Sequence, residues 1–142
     1  GAGAQKAMLE ALDNAGITPA DIDYINAHGT STPLGDIAEI KAIQAIWGED
    51  IYRLNISSTK SMTGHLMGGT GAVEAVATIL ALKNGTIPPT INHSEEDTDE
   101  NFDPKINFTF NTAQHKPLRY ALSNTFGFGG QNASIIFKKG AV

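Results

Sequence analysis

The chain has 142 residues, of which 41% are hydrophobic and 18% charged, the balance of one soluble folded domain and not of a disordered segment. A net charge of −5 with no basic run leaves nothing to neutralise a phosphate backbone, which excludes nucleic acid as a partner. There is no cysteine, which excludes disulfides and thiolate metal sites.

Ala7, Met8, Ala11 and Leu12 recur at helical spacing from the start of the chain, and Asn14-Ala15-Gly16 supplies a stop signal. Thr18-Pro19-Ala20-Asp21 then turns the chain into a short strand over 22–27. A second helix begins near Asp36, whose carboxylate suits a helix N-terminus. It carries Ile37, Ile40, Ala42, Ile43 and Ile46 and stops at Gly48. Residues 54–57 read as another short strand. The helix expected over 71–83 carries Val73, Val76, Ile79, Leu80 and Leu82 among alanines, with Glu74 as its only acid. A helix apolar all round is normally buried on all sides. Asn84-Gly85 closes it and Pro88-Pro89 stops continuation. Residues 94–103 form an acidic, exposed loop, followed by strand candidates at 106–110, 120–124 and 133–138.

This order describes an α/β domain over residues 1–142, a mixed sheet with helices packed around it and no repeat or linker. One domain of this size does not easily cover both sides of the 71–83 helix, so a second layer is expected to pack on it. No apolar run reaches bilayer length and no export signal precedes the first helix, which makes the cytoplasm the expected location and a membrane an unexpected partner.

Three turn-rich strings carry candidate chemistry: His28-Gly29-Thr30-Ser31-Thr32, Lys60-Ser61-Met62-Thr63-Gly64-His65, and Asn124-Thr125-Phe126-Gly127-Phe128-Gly129-Gly130. His28 and His65 both follow predicted strands inside turns where side chains can converge. Two neutral imidazoles present N–H donors to an oxygen gaining negative charge without adding a full charge of their own. Lys60 can hold a carboxylate in place and bias the histidines, although the commonest fate of a lysine is an exposed surface. Glu74, an acid on an apolar helix, must find a partner. Thr30 and Thr32 suit either turn stabilisation or a ligand with amide groups, and Asp36 suits a helix cap. The glycine run brings backbone close to a ligand or makes a hairpin turn; it lacks the Gly-Lys-[Ser/Thr] ending of a phosphate loop. His93 and His115 sit in polar, loop-like surroundings and are assigned to the surface.

In this order, the strings resemble the C-terminal half of a β-ketoacyl-acyl carrier protein synthase of the thiolase-like superfamily. Ser57-Ser58-Thr59-Lys60-Ser61-Met62-Thr63-Gly64-His65 with Pro88-Pro89-Thr90-Ile91-Asn92 is most similar to the type II synthases, and the resemblance covers essentially the whole chain. It implies decarboxylative Claisen condensation of a malonyl group on acyl carrier protein with an acyl chain held on a cysteine. The same resemblance assigns enolate stabilisation to His28 and His65, the active-site lysine to Lys60, and supporting acids to Glu74 and Asp36. Thr30 and Thr32 would bind the pantetheine arm, Phe126 would gate the acyl pocket, and the Phe128 N–H would complete an oxyanion hole. Some members hold a monovalent cation, here answering to Asn26, Glu74, Ser123 and Asn124. No cofactor is required, since phosphopantetheine arrives on the carrier protein. The nucleophilic cysteine belongs to an N-terminal half absent from this sequence. The expected partners are therefore that half, acyl carrier protein and a second copy in a homodimer, and the chain alone is expected to be an inactive fragment. Two other readings stay open: a non-catalytic chain-length partner, which typically erodes the histidine string intact here, and a polyketide condensing domain.

Overall fold

The computed structural model describes residues 1–141. Its elements are α1 (Ala2–Ala15), β1 (Tyr24–Asn26), α2 (Gly35–Trp47), β2 (Asn55–Ser57), α3 (Lys60–Thr63), α4 (Thr70–Asn84), β3 (Thr86–Ile87), β4 (Gln114–His115), β5 (Tyr120–Phe126) and β6 (Asn132–Lys138). Four strands form a mixed sheet in the order β2-β1-β5-β6. β1 runs parallel to β2 and β5, while β6 returns antiparallel to β5. Parallel neighbours need a crossover, and α2 provides it between β1 and β2.

Side-chain alternation divides the sheet between two cores. Ile25 and Leu122 point into a core with Met8 and Leu12 of α1 and Ile43 and Trp47 of α2. Their neighbours Tyr24 and Ala121 point the other way, onto Ala81 and Leu82 of α4 and Ile87. Every residue of β1 and β2 is buried, as expected of strands covered on both faces. α1 ends at Gly16, whose φ of 67° is the left-handed cap that glycine adopts without strain.

Three expectations need correction. Residues 106–110 form no strand and make two isolated bridges, Asn107 with Asn55 of β2 and Phe110 with Thr90 in a loop. Thr109 has φ of 53°, and its N–H bonds the Asn107 side chain at 3.0 Å, a local turn that competes with ladder pairing. Residues 60–63, read as part of a turn, form a helical turn. Finally, α4 is not buried all round. Thr70, Glu74 and Thr78, four residues apart, face inward and are buried, whereas Val73, Val76, Ile79 and Leu80 are 40%, 57%, 46% and 50% exposed. The helix therefore turns its polar stripe inward beside Ala81 and Leu82, and leaves Val73, Val76, Ile79 and Leu80 on its outer face. A contiguous exposed apolar face of this kind marks an interaction surface. Among the described residues, no helix is long and apolar enough to cross a membrane.

Candidate active site

The three strings lie just beyond the carboxyl ends of the parallel strands: His28 after β1, Lys60 after β2, and Phe126 at the last position of β5. That edge is where open α/β sheets place ligands. His28 and His65 meet edge to face, with ring centroids 5.6 Å apart and planes at 88°. Phe126 lies tilted against His28 at 5.7 Å.

Lys60 is buried rather than a surface lysine, at 8% exposure, and Glu74 is buried at 1%. Lys60 Nζ donates to both Glu74 oxygens, at 2.8 and 2.9 Å, and lies 3.5 Å from His28 Nδ1. An ammonium has three donors and no acceptor, so two protons go to Glu74 and the third addresses His28. Nδ1 then carries the lone pair and Nε2 the proton, which leaves Nε2–H free as a donor. Burial, with the nearby Lys60 ammonium, depresses the His28 pKa from 6.5 to about 4; the ring is neutral near pH 7. Burial also pushes the Glu74 carboxyl up, against the pull of the two Lys60 bonds.

The backbone of the His28 string hangs from two acids of α2. His28 N–H donates to Glu39 Oε1 at 2.8 Å and Gly29 N–H to Oε2 at 3.0 Å, while Asn124 Nδ2 donates to Oε1 at 3.2 Å. Ser31 N–H donates to Asp36 Oδ1 at 3.1 Å. Burial raises the carboxyls of both Glu39 and Asp36. Asp36 thus pins the loop that Thr30 and Thr32 occupy, and those hydroxyls lie 3.3 Å apart. Glu39 was not singled out from the sequence, yet its signal was the same as that of Glu74: an acid set among Ile37, Ile40 and Ile43 on a buried helix. A cavity of about 220 Å³ opens beside these groups, lined by His28, Thr30, Asp36, Glu39 and Phe126.

Gly29 is required where it stands. Its φ is +39°, and an added Cβ would meet the Ser58 Cβ at 2.6 Å, while Ser58 Oγ donates to the Gly29 carbonyl at 2.8 Å. Gly29→Ala is expected to cost about 2–4 kcal/mol by adding a clash to left-handed strain and to move His28; denaturant unfolding of the two proteins measures it.

Several expected site residues are not drawn in. Phe128 is 99% exposed, on a glycine turn closed by Gly127 N–H to the Gln131 carbonyl at 2.8 Å that joins β5 to β6. Of the four candidate cation donors, Asn26 and Ser123 pair across β1 and β5 and share the α4 face. Asn26 Oδ1 is buried without a partner, which suits an added cation. Asn124 does not fit as a side-chain ligand, because alternation turns it to the opposite face. There it donates to Glu39 and accepts from Ser134 Oγ at 2.7 Å. Glu74 already accepts one bond on each oxygen from Lys60. His93, assigned to the surface, is half-buried and stacks flat on Phe110 at 3.6 Å.

Comparison with known proteins shows the family. The pattern of the beta-ketoacyl synthase, C-terminal domain matches residues 1–94. The chain belongs to the β-ketoacyl synthase family. It is 48% identical over 139 residues to 3-oxoacyl-[acyl-carrier-protein] synthase 2 of Staphylococcus aureus (strain COL), covering 98% of this chain and 33% of that protein. The synthase 2 of Synechocystis sp. is also 48% identical, over 141 residues, covering 98% of this chain and 32% of that protein. Among solved structures, a β-ketoacyl synthase from Burkholderia phymatum STM815 superposes with a TM-score of 0.87 at 39% identity, over 96% of this chain and 32% of that one. A type II polyketide acyl-carrier protein in complex with its ketosynthase bound to the hexaketide gives a TM-score of 0.89 at 33% identity, covering 96% and 33%. The chain therefore spans about a third of the length of these relatives. Its mixed sheet with helices on both faces is the thiolase-like α/β half that the sequence resemblance implied.

Proposed function

We propose that this chain supplies the enolate-stabilising half of a 3-oxoacyl-[acyl-carrier-protein] synthase that elongates fatty acids. The observation that carries this reading is the pair of imidazoles in edge-to-face contact, one of them fixed from behind by the buried Lys60–Glu74 ion pair. In the complete protein, a cysteine of the other half holds the acyl group as a thioester. Malonyl-carrier protein enters with its pantetheine arm on the Thr30 and Thr32 hydroxyls. Carbon dioxide leaves the malonyl group, and negative charge moves onto the thioester oxygen, where the Nε2–H groups of His28 and His65 receive it. The resulting carbanion forms a C–C bond with the acyl carbonyl. The C–S bond to the cysteine breaks, the thiolate leaves, and a 3-oxoacyl group two carbons longer stays on the carrier.

Phe126, against His28, gates the acyl pocket, and the Phe128 N–H completes an oxyanion hole together with the cysteine N–H of the other half. Asp36 and Glu74 orient the loop and the lysine without transferring protons. No cofactor enters the reaction. A monovalent cation at Asn26 and Ser123 would give the orphaned Asn26 Oδ1 a partner and stiffen the β1–β5 pairing. The carrier-protein complex of the related ketosynthase supports acyl carrier protein as partner. The relatives' greater length and the bare face of α4 support a cysteine-bearing half as the second. The reading includes a homodimer, a single domain over 1–142 and a cytoplasmic location.

Two experiments bear on it. Carbon dioxide release from malonyl-carrier protein is measured with this chain alone and after mixing with a matching cysteine-bearing half. Release and condensation only in the mixture support the reading, and their absence from an assembled mixture removes it. The chain alone is also expected to self-associate through α4, and Val76→Lys with Leu80→Lys should shift it toward monomer in sedimentation. A native chain that is already monomeric would count against α4 as the docking face.

A further inference from the structure

The His65 ring has a partner that the function proposed above does not use. Thr70, the first residue of α4, is 2% exposed, and its Oγ1 lies 2.9 Å from His65 Nδ1. Gly69 holds the N-cap position of α4 and Thr70 follows it as the first helical residue, so the Thr70 hydroxyl has no capping bond to make. The hydroxyl is therefore free to serve the imidazole.

The direction of that bond follows from a second contact. Met67 N–H reaches the same Nδ1 at 3.3 Å. A backbone N–H can only donate, so Nδ1 must hold its lone pair. The Thr70 hydroxyl, able to donate or accept, is thereby made a donor, and the ring proton sits on Nε2. The Met67 N–H alone is a weak guarantee: it is the longer of the two contacts, and it depends on a left-handed backbone at Met67, φ 52°, a conformation costly for a side chain of this kind. His65 is otherwise exposed to solvent, with only the edge of His28 to steady it.

We infer that Thr70 is the positioning residue for His65: its hydroxyl fixes the ring rotation and the Nε2–H tautomer. The inference rests on the reading that His65 donates Nε2–H to an enolate oxygen. Thr70 itself touches no reacting atom. Its role parallels that of Lys60 toward His28, so each imidazole has its own group holding Nδ1 from behind. The two devices differ in kind, a charged donor for the buried ring and a neutral hydroxyl for the exposed one.

The test uses the complete synthase with Thr70→Val, which keeps the shape and removes the hydroxyl, and Thr70→Ser, which keeps the hydroxyl. Ring nitrogen-15 spectra of histidine-labelled enzyme, assigned with His65→Ala, report the tautomer directly. Native enzyme and Thr70→Ser are expected to show His65 as Nε2–H. Thr70→Val is expected to show a mixture, with kcat for malonyl decarboxylation down roughly 5- to 10-fold, the equivalent of one neutral hydrogen bond, and KM unchanged. If Thr70→Val does not fold, Thr70→Ala carries the same expectation. A hydroxyl-free variant that keeps a pure Nε2–H tautomer and native kcat overturns the inference, as does an equal loss in Thr70→Ser. Native enzyme that releases no carbon dioxide would instead overturn the proposed function, and the spectra would still decide the place of Thr70.

Discussion

Replacing His28 with alanine is expected to slow carbon dioxide release from malonyl-carrier protein by on the order of 10²–10³-fold, the scale of losing one fixed donor to a developing oxyanion. The loss should fall on kcat, because the donor matters most when charge has moved onto the oxygen. The same ring makes a second, independent prediction. Its pKa is about 4 in the folded chain against 6.5 ordinarily. Between those values the unfolded chain binds a proton that the folded one refuses, so stability rises with pH across this window. His28 contributes fully above about 6.5, and its contribution is lost as pH falls from there toward about 4. Melting temperature followed over this range should drop in the native protein and drop less in His28→Ala. Parallel curves would mean that the fold does not lower the His28 pKa.

Glu74→Ala is expected to cost about 3–5 kcal/mol, the penalty for leaving one buried charge without its partner. The charge left behind is the Lys60 ammonium, enclosed between α3 and α4. A double variant, Lys60→Met with Glu74→Leu, removes both charges and should recover most of that stability, since apolar side chains of similar size often replace a buried pair without loss. Activity should not recover with it. His28 Nδ1 would have lost the ammonium that keeps its lone pair in place, and the ring would be free to take the wrong tautomer. Chemical denaturation and decarboxylation rates on the three proteins separate the two roles. A double variant with native activity would reduce Lys60 and Glu74 to packing.

The helices and most strands were legible because their signals are local. Gly16 and Gly48 end α1 and α2, and the segments that became β5 and β6 already read as strand candidates at 120–124 and 133–138. The histidine and lysine strings were legible for a different reason, their resemblance to a family. What sequence could not give was direction. Helical spacing marked α4 as apolar, but Thr70, Glu74 and Thr78 on one stripe meant that its polar side faces the sheet. Glu39 carried the same buried-acid signal as Glu74, and went unread because its partners, the backbone N–H groups of His28 and Gly29, become partners only once α2 folds across the loop. Residues 106–110 had the composition of a strand, and side-chain amides at Asn107 and Asn55 diverted them. Asn124 looked like a cation ligand beside Ser123, yet adjacent strand residues face opposite sides, and it serves Glu39 instead.

The central claim is that two neutral imidazoles converge on one thioester oxygen. The most direct measurement is a crystal structure of the complete synthase with a non-hydrolysable malonyl thioester analogue bound. The account predicts the analogue's thioester oxygen about 2.7–3.1 Å from Nε2 of both His28 and His65, with Lys60 still on Glu74. An oxygen held by other groups, with either Nε2 turned away, would contradict it.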